Sequence, residues 1–265
     1  MTEQDKRPGY LKRDERDGIL TITICNVERY NAMSLSMWVH LADMVGQAEH
    51  SDTVRAVVLT GDGGRAFVSG ADISEFGALR KDPDQVARYD LAVANAQRAL
   101  SDSRHPVIAV IRGICMGGGM GLALACDLRY CTEDSRFRMP AAKLGLGYSR
   151  SGMRRMREVL GSARVADLFM TARTFDGKEA GRIGLVHEVL SGGDFEQAVA
   201  ARIAAVAGNA PLTVRAAKLT LRHLGGDSPT ADEVDAAVQA CFDSDDYQEG
   251  QRAFREKRPP VFGGR

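Results

Sequence analysis

The chain predicts an α/β fold, and three features carry that reading. Runs such as ILTITIC (19–25), VRAVVLT (54–60) and VIAVIR (107–112) have the length and β-branched composition of buried strands. Stretches with helical apolar spacing separate them. From about residue 150 strand signals nearly vanish and helical patterns take over, so an α/β core is followed by a helical region.

The elements follow in order. Residues 10–25 read as a hairpin turning at Asp17-Gly18. Residues 34–50 read as a helix, with Ser34 or Ser36 as cap and Leu35, Trp38, Leu41, Ala42 and Val45 at helical spacing. The strand at 54–60 leads into a glycine-rich loop, GDGGRAFVSGADISEF (61–76). A helix over 84–101 presents Val86, Tyr89, Leu91, Val93 and Leu100. The strand at 107–112 leads into a second glycine cluster, 115-CMGGGMGLALACDL-128. DLRYC (127–131) and RFRMP (136–140) read as strands, with a further strand signal around 183–190. Helices are expected over 153–171, 194–207, 211–224, 230–242 and 244–257. Pro211 suits a first helical position, and Pro259-Pro260 stops the last helix.

Bulk properties exclude several classes. The 265 residues carry 35 basic and 35 acidic side chains, a formal net charge of +0, so no electrostatic footprint for nucleic acid or an anionic membrane is visible. No segment approaches the length of a membrane span, and the charged start has no apolar signal region. The five cysteines (25, 115, 126, 131, 241) include no C-x-x-C pair and read as free thiols of a reducing compartment. The five histidines are scattered without metal-ligand spacing. A cytoplasmic protein with no metal is the expectation.

Twice the chain runs buried strand, glycine-rich loop, helix. Each loop can bring backbone N–H groups to a helix entrance, where orphan donors and the helix dipole favour negative charge. Two such groups converging on one oxygen would form an oxyanion hole. The dinucleotide-binding G-x-G-x-x-G turn does not fit residues 117–121, and the G-K-[ST] of a phosphate loop is missing. Close helix packing is the plainer explanation for one glycine cluster; the recurrence favours a site.

FVSGADISEF (67–76), GGGMGLALACDL (117–128) and the tail DSDDYQEGQRAFREKRPPVF (243–262) resemble the crotonase, or enoyl-CoA hydratase/isomerase, superfamily. So does the pattern of Asn26, Asn31, Ala32 and Met33, with Val27 where proline is usual. The resemblance implies a spiral of ββα units whose C-terminal helices form a homotrimer or a dimer of trimers. It divides the chain into a core with the CoA site (1–200) and a helical oligomerisation region (201–265). It implies an acyl-CoA thioester as ligand and no separate cofactor, since coenzyme A arrives with the substrate. The thioester oxygen would lie between the N–H groups of Ala71 and Gly118. Ser69, Ala71, Asp72, Ile73 and Ser74 would line the adenine and pantetheine path, Arg29 would approach the phosphates, and Phe254 and Lys257 would reach CoA from the chain's end, often in a neighbouring subunit.

The chain also departs from the family. Hydratases carry two glutamates; here those positions are Gly121 and Ala141, and neither can act as acid or base. The aspartate used by dienoyl-CoA isomerases and chlorobenzoyl-CoA dehalogenases aligns with Ser149. LGLGYSRSG (144–152) and the tail resemble instead the methylmalonyl-CoA decarboxylases, whose loop tyrosine corresponds to Tyr148. Those enzymes carry histidine where this chain has Ala71. Losing CO2 from a malonyl-type thioester needs no base. It needs an oxyanion hole and a group to orient the carboxylate, for which Arg150 or Arg154 offers a planar fork and Tyr148 a hydroxyl. Three readings stand: decarboxylation or related enolate chemistry; hydration or isomerisation with an acid or base drawn from Asp72, Glu75 or Asp127; and acyl-CoA binding without catalysis. Met116, Met120, Leu144 and Leu146 are candidates for an acyl tunnel or for core.

Overall fold

Strand-forming residues that alternate between core and surface open the fold. In a computed structural model describing residues 8–75, 82–191, 193–226 and 228–265, β1 (Tyr10–Arg16) pairs antiparallel with β2 (Ile19–Cys25), whose Leu20, Ile22 and Ile24 are fully buried. The turn is Asp17-Gly18, both at positive φ. Residues 1–7 of the charged start and Phe76 of the first loop motif lie outside the described residues.

A repeated unit follows. After α1 (Leu35–Ala48), β3 (Ala56–Gly61), β4 (Ala66–Val68) and α2 (Pro83–Asp102) form the first copy. β5 (Val107–Ile111), β6 (Ile114–Met116) and α3 (Gly118–Ala125) form the second, and β7 (Leu128–Thr132), β8 (Arg136–Arg138) and α4 (Ala141–Leu144) the third. The first strand of each unit joins a six-stranded sheet ordered β1-β2-β3-β5-β7-β10, which ends on the later strand β10 (Glu188–Leu190), and the second joins a four-stranded sheet ordered β4-β6-β8-β9, which ends on β9 (Phe175–Asp176). Among the described residues all pairings of these strands are parallel except β1–β2 and β8–β9. This is the expected spiral of ββα units.

The chain then continues through α5 (Arg150–Thr171), β9 (Phe175–Asp176), α6 (Gly177–Arg182), β10 (Glu188–Leu190), α7 (Phe195–Ala207), α8 (Pro211–Leu224), α9 (Ala231–Phe242) and α10 (Asp245–Glu256). Expected caps are in place: Ser34 Oγ accepts from Met37 N, and Pro211 opens α8. Tyr89 and Leu100 are buried on α2 as expected, beside Ala92, Ala96 and Gln97, whereas Leu91, expected with them, is 57% exposed. Residue 200 falls inside α7, whose Phe195, Val199 and Ile203 pack on the large sheet.

Charged side chains tie the helical region to the core and the tail to its last helix. Lys218 Nζ of α8 donates to the carbonyls of Leu100 (3.4 Å) and His105 (3.0 Å) and pairs with Asp127 Oδ2 at 2.7 Å. The tail folds back on α10: Asp246 accepts from the N–H groups of Gly263 and Gly264, and Glu249 from Val261 N and Arg258 Nη1. Leu221, Leu224, Phe242, Phe254 and Val261 remain exposed on this region.

Packing between α3 and β4 is too close for any side chain at Gly119, where a Cβ would lie 2.2 Å from the Val68 carbonyl oxygen. Gly119→Ala is therefore expected to cost about 1–3 kcal/mol. Urea denaturation checks this through a lowered midpoint.

Candidate functional site

Backbone hydrogen bonds set the geometry of the two glycine-rich loops. Met33 N donates to Gly70 O at 2.8 Å and Asp72 N donates to Met33 O at 2.9 Å, forming an isolated parallel bridge between Met33 and Ala71. In such a bridge the residue between the two bonded neighbours turns its own N–H and C=O the other way. The Ala71 N–H therefore points away from Met33, toward the start of α3. A Cβ built on Gly118 would lie 3.7 Å from Ala71 N, and one built on Gly70 would lie 3.9 Å from Gly118 N. Gly118 is the first residue of α3, so its N–H is among the donors a helix cannot satisfy internally. Gly117 before it holds φ 51 and ψ −113, a conformation that disfavours side chains. Neither the Ala71 nor the Gly118 N–H has a protein acceptor among the described residues. Trp38 supports this junction: its ring would meet a Cβ on Gly118 at 3.2 Å, and its Nε1 donates to Tyr89 Oη at 3.0 Å.

Beside Ala71, four of the predicted binding residues form one cluster. Arg29 Nη1 donates to Asp72 Oδ1 (2.8 Å) and Oδ2 (2.6 Å) and also to Ser74 Oγ. Ser74 donates its N–H and hydroxyl to Asp72 Oδ1, and Ser69 Oγ donates to the Arg29 carbonyl. Burial pushes the Asp72 carboxyl up, but the bonds from Ser74 and Arg29 outweigh it and hold the group below its ordinary value. Ile73 is 63% exposed beside them. Phe254 and Lys257 are exposed on and just after α10 and make no hydrogen bond to this loop among the described residues.

The two positions that lack glutamates differ in what surrounds them. Ala141 is buried at the start of α4. A Cβ on Gly121 would lie 2.5 Å from Gln97 Nε2 and 3.6 Å from Tyr148 Oη. Gln97 Oε1 accepts from Arg155 Nη1 at 3.1 Å. Tyr148 packs edge-on against Phe169, ring centroids 5.3 Å apart. Burial pushes its phenol pKa up, opposed by the Arg155 charge, so the hydroxyl keeps its proton at neutral pH.

The other candidate residues are exposed or have partners of their own. Arg154 donates to the carbonyls of Gly225 and Gly226 at 3.3 Å and pairs with Glu158, so it faces the end of α8. Arg150 is exposed at the first turn of α5, where Ser149 serves as the cap. Asp127 is engaged by Val107 N and Lys218, and Glu75 Oε2 accepts from Leu35 N at the start of α1. Met120 is core, whereas Leu144 and Leu146 are exposed. Sequence reasoning missed Gln97 and Arg155. The signal was a glutamine on the buried stripe of α2, one position after Ala96. Among the described residues no group of His, Cys, Asp and Glu is arranged to hold a metal ion, and no helix is long and apolar enough to cross a membrane.

The family profile described as enoyl-CoA hydratase/isomerase matches residues 14–265. The chain is 30% identical over 247 residues to the short-chain-enoyl-CoA hydratase of Clostridium acetobutylicum, covering 92% of this chain and 94% of that protein. It is 29% identical over 269 residues to the mitochondrial Delta(3,5)-Delta(2,4)-dienoyl-CoA isomerase of Dictyostelium discoideum, covering 96% of this chain and 91% of that one. Its fold is similar to the crystal structure of an enoyl-CoA hydratase/carnithine racemase from Magnetospirillum magneticum, with TM-score 0.91, 33% identity and 96% coverage of each chain.

The Asp72 cluster predicts a pH effect. Its carboxyl sits lower in the folded chain than in the unfolded one, so its contribution is complete above the ordinary carboxylate value and is lost as pH falls through the lowered one. Asp72→Asn is expected to cost about 1.5–3 kcal/mol at pH 7. The penalty should shrink toward pH 3 in urea denaturation.

Proposed function

Because the chain belongs to the enoyl-CoA hydratase/isomerase family, we propose that it binds an acyl-CoA thioester with the carbonyl oxygen between the Ala71 and Gly118 N–H groups. Charge developing on that oxygen as an enolate forms would meet donors already in place. The observation that carries this reading is the proximity of the two backbones, with each N–H left without a protein acceptor among the described residues.

The reaction that best fits the surrounding residues is decarboxylation of a malonyl-type thioester, or related enolate chemistry that needs no carboxylate base. In decarboxylation the C–C bond to the carboxylate breaks, its electron pair enters the enolate, and CO2 leaves. A proton then returns to the α-carbon. Tyr148 is the proposed donor, supported by its position beside Gly121 and by a phenol that burial keeps protonated. Hydration or isomerisation is the second reading, favoured by the activities for which the relatives are named. It would need an acid and a base where Gly121 and Ala141 now stand, and the other carboxylates weighed are hydrogen-bonded elsewhere.

The remaining binding roles complete the proposal. Arg29, Ser69, Asp72, Ile73 and Ser74 would flank the adenine and pantetheine, with no cofactor beyond the CoA of the substrate. Residues 201–265 would assemble a homotrimer or a dimer of trimers through the apolar surface around Leu221, Leu224 and Phe242, bringing Phe254 and Lys257 to a neighbour's CoA. A cytoplasmic setting fits the free thiols.

Assays of the purified protein with methylmalonyl-CoA and crotonyl-CoA test the reaction. Release of CO2 from the first, little hydration of the second and a roughly hundredfold fall in kcat for Tyr148→Phe are expected. Efficient hydration of crotonyl-CoA would contradict the argument from Gly121 and Ala141, and acyl-CoA binding with neither reaction would favour a non-catalytic binding protein.

A further inference from the structure

We infer that Gln97, oriented by Arg155, determines substrate specificity by donating a hydrogen bond to an anionic substituent on the acyl group. This rests on the acyl-CoA reading of the site but not on the reaction that follows. Gly121 lies three residues after Gly118 on α3, so the two share a helix side and are separated by about 4.5 Å along the axis. An acyl group whose carbonyl oxygen meets the Gly118 N–H would extend its α- and β-carbons along that side.

The groups met there are donors. Gln97 Nε2 lies 2.5 Å and Tyr148 Oη 3.6 Å from the one point where a Cβ of residue 121 would stand. The Arg155 bond to Oε1 fixes which end of the amide faces Gly121. That bond is charge-assisted and polarises the amide, which strengthens its N–H groups as donors. Nε2 has no protein acceptor among the described residues, although Gln97 is 9% exposed. Nε2 is not among the buried polar atoms that lack a partner, so its N–H groups are accessible to a ligand. A carboxylate offers two oxygens and can accept from Nε2 and from the Tyr148 hydroxyl together. A glutamate at position 121 would repel that carboxylate; a glycine does not. The ligand class is thus the CoA thioester of a short dicarboxylic acid.

The test separates recognition from turnover. The CoA thioester of 2-sulfopropionic acid carries a sulfonate in place of the carboxylate and cannot lose CO2. Isobutyryl-CoA has a methyl group at that point. Calorimetric titration of the full chain is expected to give at least about tenfold tighter binding of the sulfonate ligand. Gln97→Leu should erase that preference while leaving isobutyryl-CoA within about twofold, which also shows that the variant is folded. Gln97→Glu should reverse the preference. Equal binding of both ligands by the wild-type protein, or an undiminished preference in Gln97→Leu, would overturn the inference. A sulfonate preference in a protein that does not decarboxylate methylmalonyl-CoA would uphold the role of Gln97 and reject the proposed reaction. Failure to bind either ligand would overturn both.

Discussion

One short parallel bridge, Met33 against Ala71, is the constraint on which the site depends. It uses the N–H and C=O of Met33 to hold the residues on either side of Ala71, which leaves the Ala71 N–H facing α3. Everything nearby serves that orientation. Asn31 donates its side-chain amide to the carbonyls of Asp62 and Ala66, fixing the preceding turn to the first loop. Trp38 and Tyr89 brace the junction from below, and Gly119 lets α3 approach β4 closely enough for Gly118 to stand opposite Ala71. A backbone donor has no rotamers, so a site built this way is preorganised by the fold itself.

The chemistry available at such a site depends on what faces the donors. Glycine at 121 and alanine at 141 carry no group that could accept or give a proton. The hydroxyl of Tyr148 and the amide of Gln97 stand beside Gly121 instead, and both are donors in the state the structure favours. Donors would suit the proposed substrate, which brings its own negative charge and loses it as CO2. They suit water addition poorly, because water needs a base.

Much of this was legible in the sequence, for reasons that differ by element. The hairpin, α1 and α8 were readable because Asp17-Gly18, Ser34 and Pro211 act locally, through turn and cap geometry. The pairing of Ala71 with Gly118 came from resemblance to a family rather than from spacing, since 47 positions separate them. Of the small sheet only β8 was legible, in RFRMP; β4 and β6 have three residues each and β9 two, too few to show a period. Gln97 and Arg155 escaped because a polar residue on a buried helix stripe reads as an exception until its partner on α5 is known. Arg154 illustrates the same limit in reverse. One residue away from Arg155, it projects to the loop after α8, because adjacent helical positions do not share a face. The charged tail gave no hint that Asp246 and Glu249 hold the chain's end against α10.

The central claim is that the Ala71 and Gly118 N–H groups polarise a thioester carbonyl. Infrared difference spectroscopy of isobutyryl-CoA carrying a 13C label in that carbonyl measures this directly. A carbonyl stretch displaced to lower frequency on binding, and displaced less in an Ala71→Pro variant that lacks the N–H, is the predicted result. A bound carbonyl with the frequency of the free thioester would contradict it.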